Sequence, residues 1–305
     1  MLWIAIVITV STVVGAAAEI RSNGRAAELS RRTLLAFLYT LLPFIIFFNV
    51  SRAEIDLDRA GGIVFGWVAL AIGVGVVHLV CSRLLHLDRV RTGTLMTCTC
   101  VSNTGYLGYP AVIALLGRDD LPDAVIYDLG VALPALLLGA FSIGAAFGTE
   151  AGETFRERVR AFFVRNPPLG AAVAGLIVPD AFAPDLLVDL ARIFVIALLP
   201  VGFFAVGTLL GQAPPGERLP RPEPPIAVVA VAKIGLVPAV LALLAAPLFD
   251  LPPAYLLMAA MPSGLNSMIV AHAYGFETRL VAEAVVWTTA IVVVGAAILQ
   301  LLGVL

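Results

Sequence analysis

Residues 103–110 read Asn-Thr-Gly-Tyr-Leu-Gly-Tyr-Pro, and they stand inside an apolar run that extends from about 93 to 117. An apolar run of that length is a membrane-helix candidate, since about 20 such residues span the hydrocarbon core. An asparagine, two glycines and a proline in eight residues do not belong in an unbroken helix. Gly105 and Gly108 permit close backbone approach, and Pro110 has no N–H and frees a carbonyl one turn earlier. An opened backbone survives in hydrocarbon only where protein or a water-filled cavity satisfies its polar groups. A second stretch of the same kind lies near the C-terminal end, at Pro262-Ser263-Gly264-Leu265-Asn266-Ser267. The two interrupted helices are expected to meet near the middle of a bilayer.

The rest of the chain is consistent with that setting. It is 60% hydrophobic and 13% charged, with a mean hydropathy of +1.01. No soluble domain of 305 residues could solvate such a surface. The formal net charge of −2 gives no basic footprint for nucleic acid. Cys81, Cys98 and Cys100 sit in apolar context and read as buried packing residues. No HExxH, no phosphate loop and no serine–histidine relay occurs, so neither an enzyme nor a resident cofactor is expected.

Ten spans are expected, at about 2–18, 33–50, 61–82, 92–117, 122–147, 166–179, 187–211, 225–248, 252–275 and 281–304. The sixth is short and begins at Pro167 and Pro168. Alternate links hold fourteen arginines: Arg21, Arg25, Arg31 and Arg32; Arg83, Arg89 and Arg91; Arg156, Arg158, Arg160 and Arg165; Arg218 and Arg221; and Arg279. The other links hold three, Arg52, Arg59 and Arg118. Positive links stay inside, which puts the first set in the cytoplasm and both termini outside, in a plasma (inner) membrane.

Leu41-Leu42-Pro43 with Phe47-Phe48 recurs as Leu198-Leu199-Pro200 with Phe203-Phe204, an offset of 157 residues at the prolines. The same offset carries 103–110 onto 260–267. The expected organisation is therefore a first five-helix repeat over 1–148, a cytoplasmic linker over 149–165, and a second repeat of opposite orientation over 166–305. Inverted repeats with paired broken helices mark secondary transporters, and the breaks point to the binding site.

At the first break the expectation is two half-helices, one ending near Ser102 and one starting near Tyr109. The start offers free N–H groups suited to an anion, and Asn103 and Thr104 can hydrogen-bond a carboxylate or a coupling ion. The competing reading is a proline kink packed on a neighbour, with its glycines as a contact surface. At the second break Ser263, Asn266 and Ser267 are the polar groups and Pro262 the breaker. The competing role for Asn266 is to tie two helices together. Tyr106 and Tyr109 are candidate lining residues. Lys233 lies deep in its span, where it would neutralise an anion or take part in proton coupling. Alternatively, it pairs internally with Asp128, about six residues into the fifth span; Arg192 is expected at an outer end, paired with Asp189 or Asp185, and Glu283 near a cytoplasmic end.

The stretch from Asn103 to Pro110 resembles the N-x-G-x-x-G-x-P signature of the auxin efflux carrier family of permeases. Asn166-Pro167-Pro168 is similar to that family's N-P-P motif, and Met261-Pro262 with Asn266 and Ala273-Tyr274-Gly275 to its ninth span. The resemblance implies an all-α polytopic membrane protein of ten transmembrane helices in two inverted five-helix repeats, with crossed broken helices 4 and 9. It further implies a scaffold from helices 1, 2, 6 and 7 and a transport domain from helices 3–5 and 8–10, the fold shared with bile-acid/sodium symporters. Prokaryotic members are malonate-transporter-like, and plant members export auxin. By carry-over, Asn103, Gly105, Gly108 and Pro110 match the first crossover and Pro262 and Asn266 the second.

The expected function is an elevator-type secondary carrier or uniporter for a small organic anion, with sodium or proton as candidate coupling ion. The rival classes are a non-transporting membrane ligand sensor and a channel. The expected partners are the lipid bilayer and the organic anion, with a homodimer as the candidate assembly.

Overall fold

The computed structural model describes residues 2–51, 60–117, 119–152, 154–179, 182–212, 223–248 and 250–301. Arg52, Arg59, Arg118, Arg218 and Arg221 lie outside them. Among the described residues the chain is all-helical, and five helical stretches are long and apolar enough to cross a membrane: Arg25–Phe48, Gly61–Leu84, Leu121–Phe147, Pro224–Ala245 and Thr278–Ala296. The protein is thus a polytopic membrane protein.

The chain opens with α1 (Leu2–Ser22), turns through Asn23 and Gly24, both at positive φ, and continues as α2 (Arg25–Tyr39) and α3 (Leu41–Val50). The turn is closed by Glu19, only 3% exposed, whose carboxylate accepts from the Ala27 amide at 2.8 Å. That contact satisfies one of the free N–H groups at the start of α2. α4 (Ala60–Leu79) runs on into a π-turn over Val80–Leu84. α5 (Arg89–Cys100) starts at an Asp88 cap that accepts from Arg91 N at 2.9 Å. It is threonine-rich and buried, and Thr94 and Thr99 return their hydroxyls to the carbonyls four residues back. Such back-bonding lets polar residues line an interior without needing an external partner.

After the first break come α6 (Tyr109–Leu115), α7 (Leu121–Tyr127) and α8 (Phe141–Phe147). α9 (Phe155–Val164) is a short amphipathic helix with a Thr154–Glu157 capping box. α10 (Pro167–Ile177) is capped by Asn166, whose Oδ1 accepts from Leu169 N at 3.2 Å. The other amide atom of Asn166 donates to Leu137 O at 2.7 Å, tying this start to the fifth expected span. α11 (Asp185–Gly211) packs along α1, where small residues let the backbones close up: a Cβ on Gly211 would lie 2.8 Å from Ala16 O. α12 (Pro224–Ala230), α13 (Val237–Ala245), α14 (Pro253–Ala259), α15 (Asn266–Tyr274) and α16 (Thr278–Leu301) complete the order.

Links expected to share one side do meet. Arg91 pairs with Glu277 at 3.2 Å and with Glu223 at 3.9 Å, and Arg165 pairs with Glu150 at 3.7 Å. Arg165 also donates to Ala273 O, and Thr149 to Gly275 O at 3.0 Å, at the C-terminal end of α15. Gly275 ends α15 in the left-handed region at φ 70°, a conformation that costs a Cβ-bearing residue dearly. Each exposed ion pair contributes little alone; what they establish is that four of these links meet.

Candidate functional site: the paired breaks

The two interruptions touch backbone to backbone. Asn103 N donates to Pro262 O at 2.9 Å and Gly264 N donates to Val101 O at 2.8 Å. Ser102 and Ser263 form an isolated antiparallel bridge between them. Opened peptide groups in an apolar interior need partners, and here each break supplies the other's. Gly264 is required at this contact, since a Cβ there would sit 2.7 Å from Ser102 O.

The first half-helix begins earlier than Tyr109. It starts as a π-turn over Thr104–Gly108, whose first bond runs from Gly108 N to Asn103 O at 3.1 Å. The N–H groups of 104–107 therefore lie ahead of the first intrahelical bond and point out of the turn's start. The reason for the π geometry is the proline: Pro110 has no N–H, and the widened turn ahead of it spares a clash with its ring. Gly108 lets this half-helix approach α14, where a Cβ would be 2.7 Å from Met258 Sδ.

The side chains of the first break fall into two groups. Asn103 is 2% exposed, and neither its Oδ1 nor its Nδ2 has a hydrogen-bond partner among the described residues. Thr104 and Tyr109 turn instead to one carboxyl: Thr104 donates to Asp128 Oδ1 and Tyr109 donates to Asp128 Oδ2 at 2.6 Å. Asp128 itself opens a π-turn, Asp128–Ala132. Gly105 and Tyr106 are half-buried in the same turn.

Lys233 is 1% exposed and donates to Ser102 Oγ, beside the crossing. The internal Lys233–Asp128 pair is thus not formed. The two groups are held by different neighbours, a hydroxyl at the crossing for one and two hydroxyls of the half-helix for the other. Lys233 also lies on a π-turn, Val231–Leu236.

At the second break Ser263 is fully buried. Its amide donates to Thr288 Oγ1 at 3.1 Å, while its own Oγ has no partner among the described residues. Ser267 is occupied, donating to Gly264 O at 2.6 Å. Asn266 is the first residue of α15 and half-buried, and its amide does not hydrogen-bond that of Asn103. Pro262 contributes its carbonyl to the crossing. Cys98 and Cys100 are buried nearby, with Cys100 Sγ donating to Ala135 O at 3.3 Å.

Ser102, which ties Lys233 to the crossing, was not among the expected site residues. Five π-turns occur among the described residues, and three of them share a signal in the sequence that Val80–Leu84 and Ala135–Ala140 lack. Each of the three ends two residues before a proline, Gly108 before Pro110, Ala132 before Pro134 and Leu236 before Pro238, and each carries a polar side chain, Thr104 with Tyr106, Asp128 or Lys233.

No family model matches the chain. Over 144 residues, 46% of this chain, it is 27% identical to an uncharacterized transporter of Methanocaldococcus jannaschii. Over 138 residues, 45% of this chain, it is 28% identical to an uncharacterized transporter of Methanothermobacter thermautotrophicus. The matched segments span 45% and 43% of those two proteins.

Proposed function

We propose that this chain is a carrier of a small organic anion, an auxin- or malonate-like carboxylate, and belongs with the auxin efflux carrier permeases. The observation that carries the reading is Asn103: a primary amide, 2% exposed, with both polar atoms unpartnered, set at the point where two broken helices pair. Burying an unsatisfied amide costs about 1–3 kcal/mol. That cost is offset when a ligand oxygen accepts from Nδ2 and the free N–H groups of 104–107 join in holding its negative charge. The likeness to two archaeal transporters supports the transport class.

In this reading ten helices cross an inner membrane as two inverted repeats, 1–148 and 166–305, joined by a cytoplasmic linker, with both termini outside. Helices 1, 2, 6 and 7 form a scaffold and helices 3–5 and 8–10 carry the site between the two faces as an elevator. Lys233 holds the crossing through Ser102 and supplies a positive charge beside the anion. Asn266 and the α15 start close the site from the second repeat, and sodium or proton drives the cycle.

The test is uptake of labelled malonate and related acids into proteoliposomes. Asn103→Ala and Asn266→Ala are expected to reduce uptake strongly while the protein stays folded. Unchanged uptake in both variants would remove the site. Cysteine accessibility that placed residues 156–165 on the outer face would reverse the topology.

A further inference from the structure

Asp128 is a carboxyl inside the spanning helix Leu121–Phe147, and no cation lies within ion-pair distance of it among the described residues. Its two oxygens are each taken by one hydroxyl, and both hydroxyls come from the same half-helix turn: Thr104 at its first residue and Tyr109 just past its last. Among the other titratable groups on the packed elements, Asp123 opens α7, Asp185, Asp189 and Arg192 lie on α11, which packs on the half-helix turn, and the rest are phenols. Tyr106 shares the half-helix turn, Tyr127 precedes Asp128, and Tyr255 of α14 stacks edge-on against Tyr127 with ring centroids 5.4 Å apart. On α4, the remaining element packed against this turn, the titratable side chain is His78 at the far end, against Phe147. Among the described side chains no basic group lies within ion-pair distance of the carboxyl. A bare carboxylate in such a place is held by two neutral donors alone, which is a weak compensation for its desolvation.

We propose that Asp128 is the proton-binding group of the site, and that one proton taken onto its carboxylate from water accompanies each small organic anion held at Asn103. This rests on the reading of Asn103 as an anion site. The chemistry follows from donor counting. An ionised carboxylate only accepts, so Thr104 and Tyr109 both donate to it. Once protonated, the carboxyl has its own O–H, which must itself find an acceptor, and one of the two hydroxyls is released. Thr104 adjoins Asn103, so its released hydroxyl becomes a donor for the anion at the neighbouring amide. The proton enters from the aqueous phase on one side as the new O–H bond of Asp128 and leaves to water on the other as that bond breaks. The proton cancels one negative charge of the anion, leaving a monocarboxylate neutral and a malonate dianion at −1, which lowers the cost of carrying them through hydrocarbon. Coupling is reciprocal: the anion binds more tightly to the protonated protein, and the proton more tightly to the loaded one.

The test is calorimetric titration of malonate into the purified full-length chain, in two buffers of different ionisation enthalpy. The wild type is expected to take up about one more proton per malonate than Asp128→Asn, a difference that cancels any proton malonate itself exchanges. Its affinity should fall about tenfold per pH unit above the titration of Asp128, against a flat profile in Asp128→Asn, and Asp128→Glu should restore the slope. Equal proton uptake in wild type and Asp128→Asn, with Asn103→Ala still weakening binding, overturns Asp128 and leaves the anion site standing. Malonate binding indifferent to Asn103→Ala overturns the anion site, and the proton difference is still read in the same titrations. Should Asp128→Asn not fold, the infrared band of protonated carboxyls in the wild type decides: it must grow on adding malonate, and an unchanged band overturns the proposal.

Discussion

Two asparagines, Asn103 and Asn166, are each 2% exposed, yet their amides live differently. Asn166 at the start of α10 uses both ends, accepting from Leu169 N at 3.2 Å and donating to Leu137 O at 2.7 Å. Asn103 at the crossing uses neither. Buried polar groups in native proteins are nearly always paired, so the satisfied amide is a structural pin, and the unsatisfied one is the group on which the proposed anion site rests. The backbone around Asn103 is not at fault, because its N–H and carbonyl are bonded to Pro262 O and Gly108 N. The fold thus spends its hydrogen bonds on fixing the main chain there and leaves the side chain open.

The largest way to break this contrast is Gly264→Ala. Its Cβ would press on Ser102 O and the adjoining Ser102 carbonyl carbon, at 2.7 and 2.9 Å, and both are backbone that cannot yield without opening the bridge. We expect a loss of about 3 kcal/mol or more in stability, measured by thermal denaturation in detergent, together with loss of anion binding. Next comes Asn103→Ala, which should weaken anion binding roughly ten- to hundredfold, as expected for one hydrogen bond to a charged group, while the ligand-free protein melts no lower than wild type. Asn166→Ala should do the opposite. It should lower stability by about 1–2 kcal/mol by removing a helix cap and a buried bond, with anion affinity unchanged. Smallest is Tyr109→Phe, which removes one of two donors to Asp128. It should cost about 1 kcal/mol in stability and shift the pH dependence of anion binding without abolishing it.

What was legible in the sequence follows the same division. The breaks were legible because glycine, proline and asparagine inside an apolar run leave few alternatives for the backbone. The face shared by the arginine-rich links was legible from their alternation. The partners of the buried charges were not. Whether Lys233 reaches Asp128 or Ser102 depends on how far each helix is rotated about its axis, and π-turns alter that rotation locally. Lys233 and Asp128 each lie within a π-turn, so an α-helical count misjudges the direction of their side chains, and the pair suggested by two charges within the spans is not formed. The start of the half-helix at Thr104 was missed for the same cause: the expected start at Tyr109 counts only the α-helical residues, and the π-turn ahead of Pro110 already bonds its own backbone.

The most direct test of the open amide is a thermal-shift screen of small carboxylic acids, malonate included, run in parallel on wild type, Asn166→Ala and Asn103→Ala. The account predicts that an acid which raises the melting temperature of the wild type also raises that of Asn166→Ala from its lower starting point, and leaves Asn103→Ala unmoved. A stabilisation of Asn103→Ala equal to that of the wild type would contradict it.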